Sequence, residues 1–534
     1  MKFALTSLLF ILILNFTASI DQSTIISREQ SIENHPQKVH AIANYTTHSP
    51  ILIESNSDFE TQGWPGNGSA SNPYVISGLN ITSDVDCIQV RYTSVHFTIR
   101  DCFLSASDWK DCIDLQIVNT AFINSCIIST RFDGINLYSA SNVVVQDCVI
   151  ESARGPITAL NSYGFQVINC TFPAGTLGSF PLRFWLETSN NAIIDGNEFH
   201  DVFITTVGSN FITLTSNNFT DGGLLLSGSG PSSFYEVSEN WVNGKPLLYL
   251  EGNESLVIEA DGYGQVVLMQ CSNILVRDGN MSDTRPVQLI DCIGCTVENI
   301  TAWRGSSGIY DYGSNYTTIR DCIFNGVGSA GVWMTRCGFS LVENCTSNPG
   351  DYIFERSWLI VQVCFDTIVT RCTIINHQDE ALYFTGERMI LTNCTIMGAR
   401  YGVHVRGVNM TVDNNHIHSM SSENTHPFYS TGIHASSIKN STISNNLIEN
   451  GDDYGIFAMS NNSLFVNNTI VNNEGIGIEL FNSSNGNSLY GNILKHNLLG
   501  NALDNGFDNQ WDDGISIGNL WDDFNPHTHS QYEI

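Results

Sequence analysis

The sequence predicts an all-β fold, a right-handed parallel β-helix of about seventeen coils with a cap at each end. Three observations lead to this prediction. A short phrase recurs along nearly the whole chain at intervals of roughly 20 to 24 residues: an apolar residue, any residue, Asp or Asn, Cys or Asn, any residue, and a second apolar residue. Apolar and polar residues alternate within each repeat, as in short strands with one buried face. No segment of about 10 to 15 residues carries the apolar period of an amphipathic α-helix.

The fourth position of the repeated phrase forms a column of Cys and Asn. Stacked coils would place its members about 4.8 Å apart, so the column becomes a ladder along the axis. An Asn amide can bond the backbone of its own coil and of the next, while Cys fills the same interior site as a small hydrophobe. We therefore interpret the cysteines as buried thiols. The column consists of Cys102, Cys126, Cys148, Cys170, Asn197, Asn217, Asn240, Gly279, Ile300, Cys322, Cys345, Cys372, Cys394, Asn415, Asn446, Asn468 and Asn492.

The repeat also sets the domain boundaries. The step from position 240 to position 279 exceeds one period and predicts an insertion near 243–270 that is looped out of a coil. Open ends of a β-helix expose strand edges, so irregular segments at both ends are expected to be caps. The predicted parts are a signal peptide at 1–20, a polar linker at 21–48, an N-terminal cap region at 49–83, the β-helix at 84–501 and a C-terminal capping segment at 502–534.

The N-terminal residues predict export. Lys2 precedes an apolar run from Phe3 to Leu14, and small polar residues follow near Thr17 to Ser19. We expect cleavage near residue 20 and a mature chain that is extracellular, periplasmic or on the cell surface. No later run reaches the roughly 18 apolar residues that a membrane-spanning helix needs, so no transmembrane helix is expected. The chain is expected to be a monomer.

The charge balance argues against some partners. The chain has 22 basic and 53 acidic residues, a formal net charge of −31. This charge repels a phosphate backbone and an anionic membrane surface, so nucleic acid is not an expected partner. It also disfavours polyanionic sugars unless a basic groove or a bound cation reverses the local field. Neutral glycans and cations fit better.

Several separate phrases resemble those of a known group of proteins. They are HSPILIESNSDF, NPYVISGLNI, NGKPLLYLEG, GQVVLMQCSNILVRD and NQWDDGISIGNLWDDF, in that order from residue 48 to residue 524. Together they resemble the NosD-like right-handed β-helix proteins, exported repeat proteins named after a periplasmic copper-binding member. The resemblance implies the β-helix fold over most of the mature chain. Relatives of the group include carbohydrate-active and carbohydrate-binding proteins, so the resemblance does not settle an activity.

The first candidate site lies in the early coils. The phrases DCIQV, DCIDL and DGINL align and place Asp86, Asp111 and Asp133 in one column. Asp114 projects outward beside it. Carboxylates on neighbouring coils would lie about 5 Å apart, which suits a retaining glycosidase pair or a hard-cation site. The alternative is that each Asp begins a turn before a strand.

The partner motifs of known β-helix enzymes are missing from the sequence. The polygalacturonase-like Gly-His-Gly and Arg-Ile-Lys motifs do not occur, and no lyase-like or epimerase-like signature is found. The sequence therefore leaves enzymatic activity open and favours binding over catalysis.

The second candidate site is an outward column of rings in the later coils. Aromatic faces can stack on sugars while their polar edges stay hydrated, although aromatic residues also simply favour strands. We expect Trp333 to lie in an open groove. The column consists of Tyr310, Trp333, Tyr383, His404, His434 and Phe457, with Glu479 beyond.

Two metals are suggested, although the fold requires no cofactor. Copper is suggested by the resemblance to the NosD-like group, and the candidate ligands are His416, His418 and His434, because imidazole is a suitable ligand for copper. The alternative is that these are ordinary histidines of exposed turns. The acidic tail resembles a calcium loop in composition but lacks the EF-hand spacing, so a capping role is the alternative. Its residues are Asp504, Asp508, Asp512, Asp513, Asp522 and Asp523.

These observations favour a secreted or cell-surface β-helix that binds a carbohydrate or another envelope component. Two alternatives stay open. One is a polysaccharide hydrolase or lyase that acts in a lateral groove, which needs at least two convergent titratable groups. The other is a structural scaffold or adhesin without a small ligand, which would have a featureless lateral surface.

Overall fold

The computed structural model describes residues 45–522 apart from 108, 176–181, 228–234, 306, 329, 349–356, 376–378 and 422–429. The predicted signal peptide, nearly all of the predicted linker, and Asp523 lie outside the described residues. The described chain is an all-β solenoid of about 18 turns, which confirms the predicted fold class. It contains two consecutive β-helices, the first solenoid (46–242) and the second solenoid (245–521).

The first solenoid has three parallel sheets. Sheet I contains the strands Ile51–Ile53, Ile88–Thr93, Ile113–Val118, Asp133–Tyr138, Gly155–Leu160, Leu182–Glu187, Val202–Val207 and Gly223–Ser227. Sheet II contains Tyr74–Ser77, Phe97–Arg100, Ala121–Asn124, Val143–Gln146, Gln166–Ile168, Ile193–Asp195, Ile212–Thr215 and Tyr235–Ser238. Sheet III contains Thr46–Thr47, Leu79–Ser83, Phe103–Ala106, Ile127–Thr130, Val149–Ser152, Thr171–Phe172, Glu198–His200, Asn218–Thr220 and Trp241–Val242.

The second solenoid has a long sheet on one side and a two-row sheet on the other. Sheet IV contains Lys245–Glu251, Gln265–Met269, Val287–Ile290, Ile309–Tyr312, Val332–Thr335, Ser357–Phe365, Glu380–Glu387, Tyr401–Val408, Thr431–Lys439, Tyr454–Asn461, Ile476–Leu480 and Gly500–Asp504. Sheet V contains Val257–Glu259, Leu275–Ser282, Thr296–Trp303, Thr318–Arg320, Ile323–Asn325, Leu341–Glu343, Thr346–Asn348, Ile368–Thr370, Thr373–Ile375, Ile390–Thr392, Thr395–Met397, Thr411–Asp413, His416–His418, Thr442–Ser444, Leu447–Glu449, Leu464–Val466, Thr469–Val471, Ser488–Tyr490, Ile493–Lys495 and Leu520–Trp521.

Residues one repeat apart stack directly above one another. In sheet II, Ile123 pairs with Ile99 on one side and with Val145 on the other. All three side chains are fully buried. Their neighbours in sequence point outward, because successive strand residues face opposite sides of a sheet. The 22-residue repeat and the alternation within it therefore build the interior of each coil.

The Asn column is a buried hydrogen-bond ladder, as the sequence predicts. The backbone N–H of Asn217 donates to Oδ1 of Asn240 at 3.0 Å, and Nδ2 of Asn240 donates to the Leu214 carbonyl at 2.8 Å. The ladder continues one rung beyond the predicted column, because the N–H of Asn492 donates to Oδ1 of Asn519 at 3.0 Å. Each amide satisfies the buried backbone groups of a tight turn on two successive coils.

Eight of the fifteen cysteines belong to the same column, and all fifteen are buried and free. The N–H of Cys126 approaches Sγ of Cys148 at 3.4 Å, and the N–H of Cys148 approaches Sγ of Cys170 at the same distance. The interpretation of these residues as buried thiols is therefore in agreement with the structure.

The strand direction reverses at Asn243 and Gly244. Trp241–Val242 pairs antiparallel with the beginning of Lys245–Glu251. Both turn residues have positive φ, 49° and 76°, as in the two-residue hairpin turn that an Asn-Gly pair favours. The predicted insertion near 243–270 is wrong, because these residues begin a second solenoid instead of leaving a coil.

The second and third strands of sheet IV, Gln265–Met269 and Val287–Ile290, are buried on both faces. Val266 and Leu268 belong to the core of the second solenoid. The alternate residues Val267 and Met269, together with Ile290 on the next strand, belong to the core of the first solenoid. The outer face of sheet IV therefore covers the last coil of the first solenoid, which would otherwise expose its apolar interior.

At this junction two glutamine side chains make the backbone hydrogen bonds that a neighbouring strand would otherwise make. Oε1 of Gln265 accepts from the N–H of Leu224 at 2.9 Å, and its Nε2 donates to the Leu224 carbonyl at 2.9 Å. Oε1 of Gln288 accepts from the N–H of Leu226 at 3.1 Å. These amides satisfy backbone groups of Gly223–Ser227, the last strand of sheet I among the described residues.

A short α-helix, Asn56–Thr61, covers the other end of the first solenoid. Its one buried residue, Phe59, stacks on Tyr74 with ring centroids 4.9 Å apart and lies 5.3 Å from Phe97. The structure also describes a 3₁₀ turn at Ala260–Gly262. In the part of the chain that the structure describes, no helix is long and apolar enough to cross a membrane.

Residues 502–522 extend the ladders and then end the second solenoid. Oδ1 of Asn509 accepts from the N–H of Asn487 at 3.1 Å, which adds one more rung. The rings of Trp511 and Trp521 lie 5.7 Å apart and pack against the second core. Asp504 accepts a hydrogen bond from the indole of Trp511 at 3.0 Å and so fixes this pair.

Candidate functional site

The outer face of sheet IV carries the ring column that the sequence singles out. Strand register places one member on each successive coil, as expected for stacked repeats. Ile360 interrupts the rings and divides the column into two groups. In order, the column runs through Tyr310, Trp333, Ile360, Tyr383, His404, His434, Phe457 and Glu479.

Tyr310 and Trp333 belong to the junction between the solenoids. Tyr310 is 7% exposed and is part of the first core, with the Arg285 guanidinium 4.6 Å above its ring. Trp333 is half-buried and packs against the same core, 6.0 Å from the Tyr310 ring. The expectation that Trp333 lies in an open groove is wrong, because the end of the first solenoid lies against this part of sheet IV.

The other four rings of the column form a continuous, half-buried group, which we call the ring cluster (Tyr383, His404, His434 and Phe457). The Tyr383 and His404 rings meet edge to face at 5.1 Å, and the His404 and His434 rings stack at 4.7 Å. Phe457 meets His434 edge to face at 5.6 Å. The cluster therefore offers a ribbon of ring surface parallel to the solenoid axis.

A polar edge borders the ring cluster. The Tyr401 ring lies 5.2 Å from that of His434, and the Arg400 guanidinium lies 4.5 Å above the Tyr401 ring. Nη2 of Arg400 donates to the Tyr401 hydroxyl at 3.0 Å, and its Nη1 lies 3.2 Å from a carboxylate oxygen of Asp379. Hydrogen-bonding groups thus stand beside apolar ring faces, a common composition of ligand sites.

His404 joins a carboxylate to a hydroxyl across three strands. Its Nδ1 lies 2.8 Å from Oε1 of Glu380, and its Nε2 lies 2.7 Å from Oγ of Ser436. The side chains of His404 and Glu380 are 17% and 22% exposed. Because an ionised carboxylate can only accept a hydrogen bond, Nδ1 of His404 carries a proton, and in this tautomer of a neutral imidazole Nε2 is the atom that can accept from the Ser436 hydroxyl.

Ser436 lies at a β-bulge. On the preceding strand, Val405 pairs with Ala435 and Arg406 pairs with Ser437, so the register shifts by one residue at Ser436. A second shift occurs against the following strand between Ala435 and Ile438. Bulges bend a strand locally and re-aim side chains, and they are frequent beside active sites.

His434 is neutral at physiological pH. Burial of its ring, and secondarily the neighbouring His404, lower the pKa of His434 to about 4. Its Nδ1 is buried without a hydrogen-bond partner in the described residues. A neutral ring adds apolar stacking surface to the cluster without adding charge.

Glu380 and Ser436 were not predicted from the sequence, although a signal for Ser436 exists. The segment GIHASSIKN (432–440) is one residue longer than GVHVRGVN (402–409) between its Gly and its turn Asn. The extra residue indicates a bulge at this point. No comparable signal distinguishes Glu380, because strand register pairs it with Tyr401 and pairs His404 with Tyr383.

The predicted carboxylate group lies where sheet I begins. The N–H of Asp111 donates to Oδ1 of Asp86 at 3.1 Å, which links two coils. Asp133 is in register with Gly155 of the next coil. Asp114 lies on the outer face of sheet I, where its oxygens accept from the amides of Gln89, Gln116 and Asn136 at 2.5, 2.8 and 3.0 Å. Its carboxylate is therefore occupied by amide donors of its own sheet.

Asp111 and Asp133 are the buried members of this group, with exposed fractions of 9% and 5%. Burial, and then the charges of Asp133, Asp114 and Asp86, raise the pKa of Asp111 to about 8. Burial also raises the pKa of Asp133, while Arg154, whose Nη1 lies 3.7 Å from its carboxylate, lowers it. In each, Oδ1 is buried without a hydrogen-bond partner among the described residues.

Aromatic residues border the same carboxylates. The Trp109 ring is 75% exposed and lies 5.8 Å from Phe132. The Arg154 guanidinium covers the Phe132 ring at 4.2 Å while it approaches Asp133. An exposed indole thus lies two residues before the buried Asp111.

The predicted copper ligands occupy two different sheets. His416 and His418 lie on one strand of sheet V with their rings stacked at 4.5 Å, and Nε2 of His416 lies 2.9 Å from Glu449. His434 lies on sheet IV in the ring cluster, so the three histidines do not form one group. Among the residues that the structure describes, no group of three or more His, Cys, Asp or Glu is arranged to hold a metal ion. Copper binding stays a prediction.

The acidic tail carboxylates bond the chain itself. Oδ1 of Asp513 accepts from the N–H groups of Ile515, Ser516 and Ile517 at 2.9, 2.6 and 2.8 Å. These bonds lower the pKa of Asp513. The arrangement suits the capping alternative, and calcium binding stays a prediction.

The chain belongs to the family described as the right handed beta helix region, whose model matches residues 86–242, 237–355 and 359–519. No curated protein sequence matches the chain. This match supports the β-helix family that the resemblance to NosD-like proteins implies, but not the NosD-like group in particular.

Solved β-helix structures resemble the chain at low identity. The Dettilon tailspike protein is 12% identical with a TM-score of 0.34, and the match covers 59% of this chain and 62% of the tailspike. A tailspike mutant of E. coli bacteriophage HK620 in complex with a pentasaccharide is 10% identical, TM-score 0.31, covering 78% and 74% of the two chains. The exopolygalacturonase from Thermotoga maritima is 12% identical, TM-score 0.23, covering 69% and 84%. This chain therefore spans less than two thirds of the Dettilon tailspike.

Proposed function

We propose that this protein is an exported β-helix protein that binds a neutral carbohydrate along the ring cluster of sheet IV. The observation that carries the proposal is the unbroken succession of Tyr383, His404, His434 and Phe457, with ring centroids 4.7 to 5.6 Å apart. Sugar rings present apolar C–H faces that stack on such surfaces, while their hydroxyls reach polar groups at the edge.

The electrostatics support a neutral ligand. The chain carries a formal net charge of −31, which repels polyanions. His434 stays uncharged near pH 7 because its pKa is lowered to about 4. Polar groups of Tyr401 and Arg400 lie beside the rings and can bond sugar hydroxyls.

A glycan array with the full chain tests this proposal. We expect binding to one class of neutral glycan, with Tyr383→Ala and Phe457→Ala each weakening the affinity at least about tenfold, since 1.4 kcal/mol of lost stacking gives this factor. Tyr138→Ala is the matched control, because Tyr138 is an exposed tyrosine of the first solenoid. Equal affinity of all variants, or no binding to any glycan, would overturn the proposal.

Hydrolysis of a polysaccharide at Asp111 and Asp133 is the second candidate. The favouring observation is that both carboxyls are buried with an unpaired oxygen beside the exposed Trp109. A carboxyl with a pKa of about 8 can act as a general acid at neutral pH. If Asp111→Asn and Asp133→Asn both leave glycan hydrolysis unchanged, this candidate is excluded.

The NosD-like relationship also belongs among the proposals. We infer from the phrases between residues 48 and 524 that the chain is a NosD-like member of the β-helix family. Titration with Cu(I) and Cu(II) tests the copper binding that this relationship implies. Stoichiometric uptake that is lost in His416→Ala would support it, and no uptake would exclude it.

A further inference from the structure

We propose that Ser436 is a nucleophile with which the second solenoid hydrolyses carboxylic esters carried by the bound carbohydrate. The proposal rests on the proposed carbohydrate binding for the identity of the carrier, whereas the chemistry rests on Glu380, His404 and Ser436 alone. Their two contacts, 2.8 Å and 2.7 Å, form an uninterrupted relay from carboxylate through imidazole to hydroxyl.

The relay has the geometry that activates a serine. A nucleophilic hydroxyl needs a base within about 2.6 to 3.2 Å, and the base needs a third group that fixes its tautomer. Glu380 is the positioning residue here, because it holds the proton on Nδ1 of His404 and leaves Nε2 free to accept. His404 is the base, since its Nε2 faces the Ser436 hydroxyl.

Strand pairing in sheet IV aligns Glu380, His404 and Ser436. The three residues come from three adjacent strands of sheet IV, Glu380–Glu387, Tyr401–Val408 and Thr431–Lys439, so regular strand pairing fixes the backbone positions. Ser436, the proposed nucleophile, lies at the bulge, where this regular strand pairing is interrupted.

The chemical step balances with water as the only co-reactant. Oγ of Ser436 attacks the ester carbonyl carbon while its proton passes to Nε2 of His404. The bond to the sugar oxygen breaks, and this oxygen takes the proton from His404 and leaves as an alcohol. Water then attacks the acyl-serine with His404 again as base. The products are a free carboxylic acid, the sugar hydroxyl and regenerated Ser436.

The surroundings select the substrate class. Ser436 Oγ contacts His404, a member of the ring cluster, so a sugar stacked on Tyr383 or His434 would bring its substituents near the hydroxyl. The neutral His434 and the net charge of −31 favour an uncharged ester over an anionic one. A small acyl group on a sugar hydroxyl, such as an acetyl ester, meets both conditions.

Hydrolysis of p-nitrophenyl acetate and of an acetylated sugar by the full chain tests the proposal. We expect Ser436→Ala and His404→Gln to lower kcat/KM by at least about 100-fold, the scale of general-base catalysis. Glu380→Gln should lower kcat without a matching change in KM and shift the pH–rate profile, which a structural role would not do. Ser437→Ala is the matched control, because Ser437 is an exposed serine beside the bulge, and it should retain full activity.

A fluorophosphonate probe with peptide mass mapping gives a second readout that does not depend on variant folding. Labelling of Ser436 in the native chain supports the proposal, and its absence together with equal esterase rates in Ser436→Ala and Ser437→Ala overturns it. Glycan affinity separates the two proposals. Esterase activity that depends on Ser436, in a chain that binds no glycan on the array, would overturn the proposed function and support the esterase. Glycan binding by the native chain with equal esterase rates in Ser436→Ala and Ser437→Ala would overturn the esterase alone.

Discussion

Nε2 of His404 lies 2.7 Å from Oγ of Ser436, although the two residues are 32 positions apart in the sequence. Two features produce this contact. Strand register places His404 beside His434 on the next coil, and the bulge after Ala435 then turns Ser436 toward the imidazole. A repetitive scaffold can thus acquire a distinct site at the coil where its repetition fails.

The Asn ladder should carry much of the stability of the second solenoid. Oδ1 of Asn446 accepts from the N–H of Asn415 at 3.0 Å, and its Nδ2 donates to the Val412 carbonyl at 2.9 Å. Asn446→Ala leaves both buried backbone groups unpaired, so we expect a loss of about 3 kcal/mol in the free energy of unfolding. Urea denaturation measures this, with the exposed Asn461→Ala as control. A loss under about 0.5 kcal/mol would contradict the role of the ladder.

Asp111 should make the protein less stable as the pH rises. Its pKa is about 8 in the folded chain and near 4 when unfolded, so the folded state binds an extra proton between these values. The stabilisation is complete below about pH 4 and is lost as the pH rises through 8. Asp111→Asn should therefore flatten the pH dependence and raise the unfolding temperature at pH 8. An unchanged pH profile, equal to that of the exposed Asp101→Asn, would show that Asp111 ionises normally.

The thiols should be inaccessible in the native state. All fifteen cysteines are buried. A hydrogen bond with the preceding thiol of the column, and then burial, raise the pKa of Cys148 and Cys170. Titration with a thiol-specific disulfide reagent should give no rapid reaction in buffer and fifteen thiols in denaturant. Several fast-reacting thiols in the native protein would contradict the buried column.

Gly244 should be required for the reversal between the solenoids. Its φ of 76° suits glycine, whereas an alanine would be strained there even though open space surrounds the added methyl group. We expect Gly244→Ala to lower the free energy of unfolding by about 1 kcal/mol. Gly262→Ala is the control, since it also meets open space but has no positive φ. If both substitutions have equal effects, the turn conformation does not limit stability.

Strand register and the buried columns could be predicted from the sequence because a solenoid repeats one local pattern. The 22-residue spacing determines which residues stack, so Cys126, Cys148 and Cys170 follow from alignment alone. The same reasoning failed at 243–270. An Asn-Gly turn reverses the strand direction without disturbing the alternation of apolar residues. The repeat period is the same for either strand direction, so it does not reveal the reversal.

The candidate site was only partly predictable for a related reason. Tyr383, His404, His434 and Phe457 repeat once per coil and are visible as a column. Burial of Tyr310 and Trp333 depends on packing between two solenoids, which no local pattern encodes.

A crystal structure of the full chain with the oligosaccharide selected on the glycan array tests the central claim most directly. The account predicts sugar rings stacked on Tyr383, His434 and Phe457 along the axis of the second solenoid. Sugar bound beside Trp109 and Asp111 on the first solenoid, with the ring cluster empty, would contradict it.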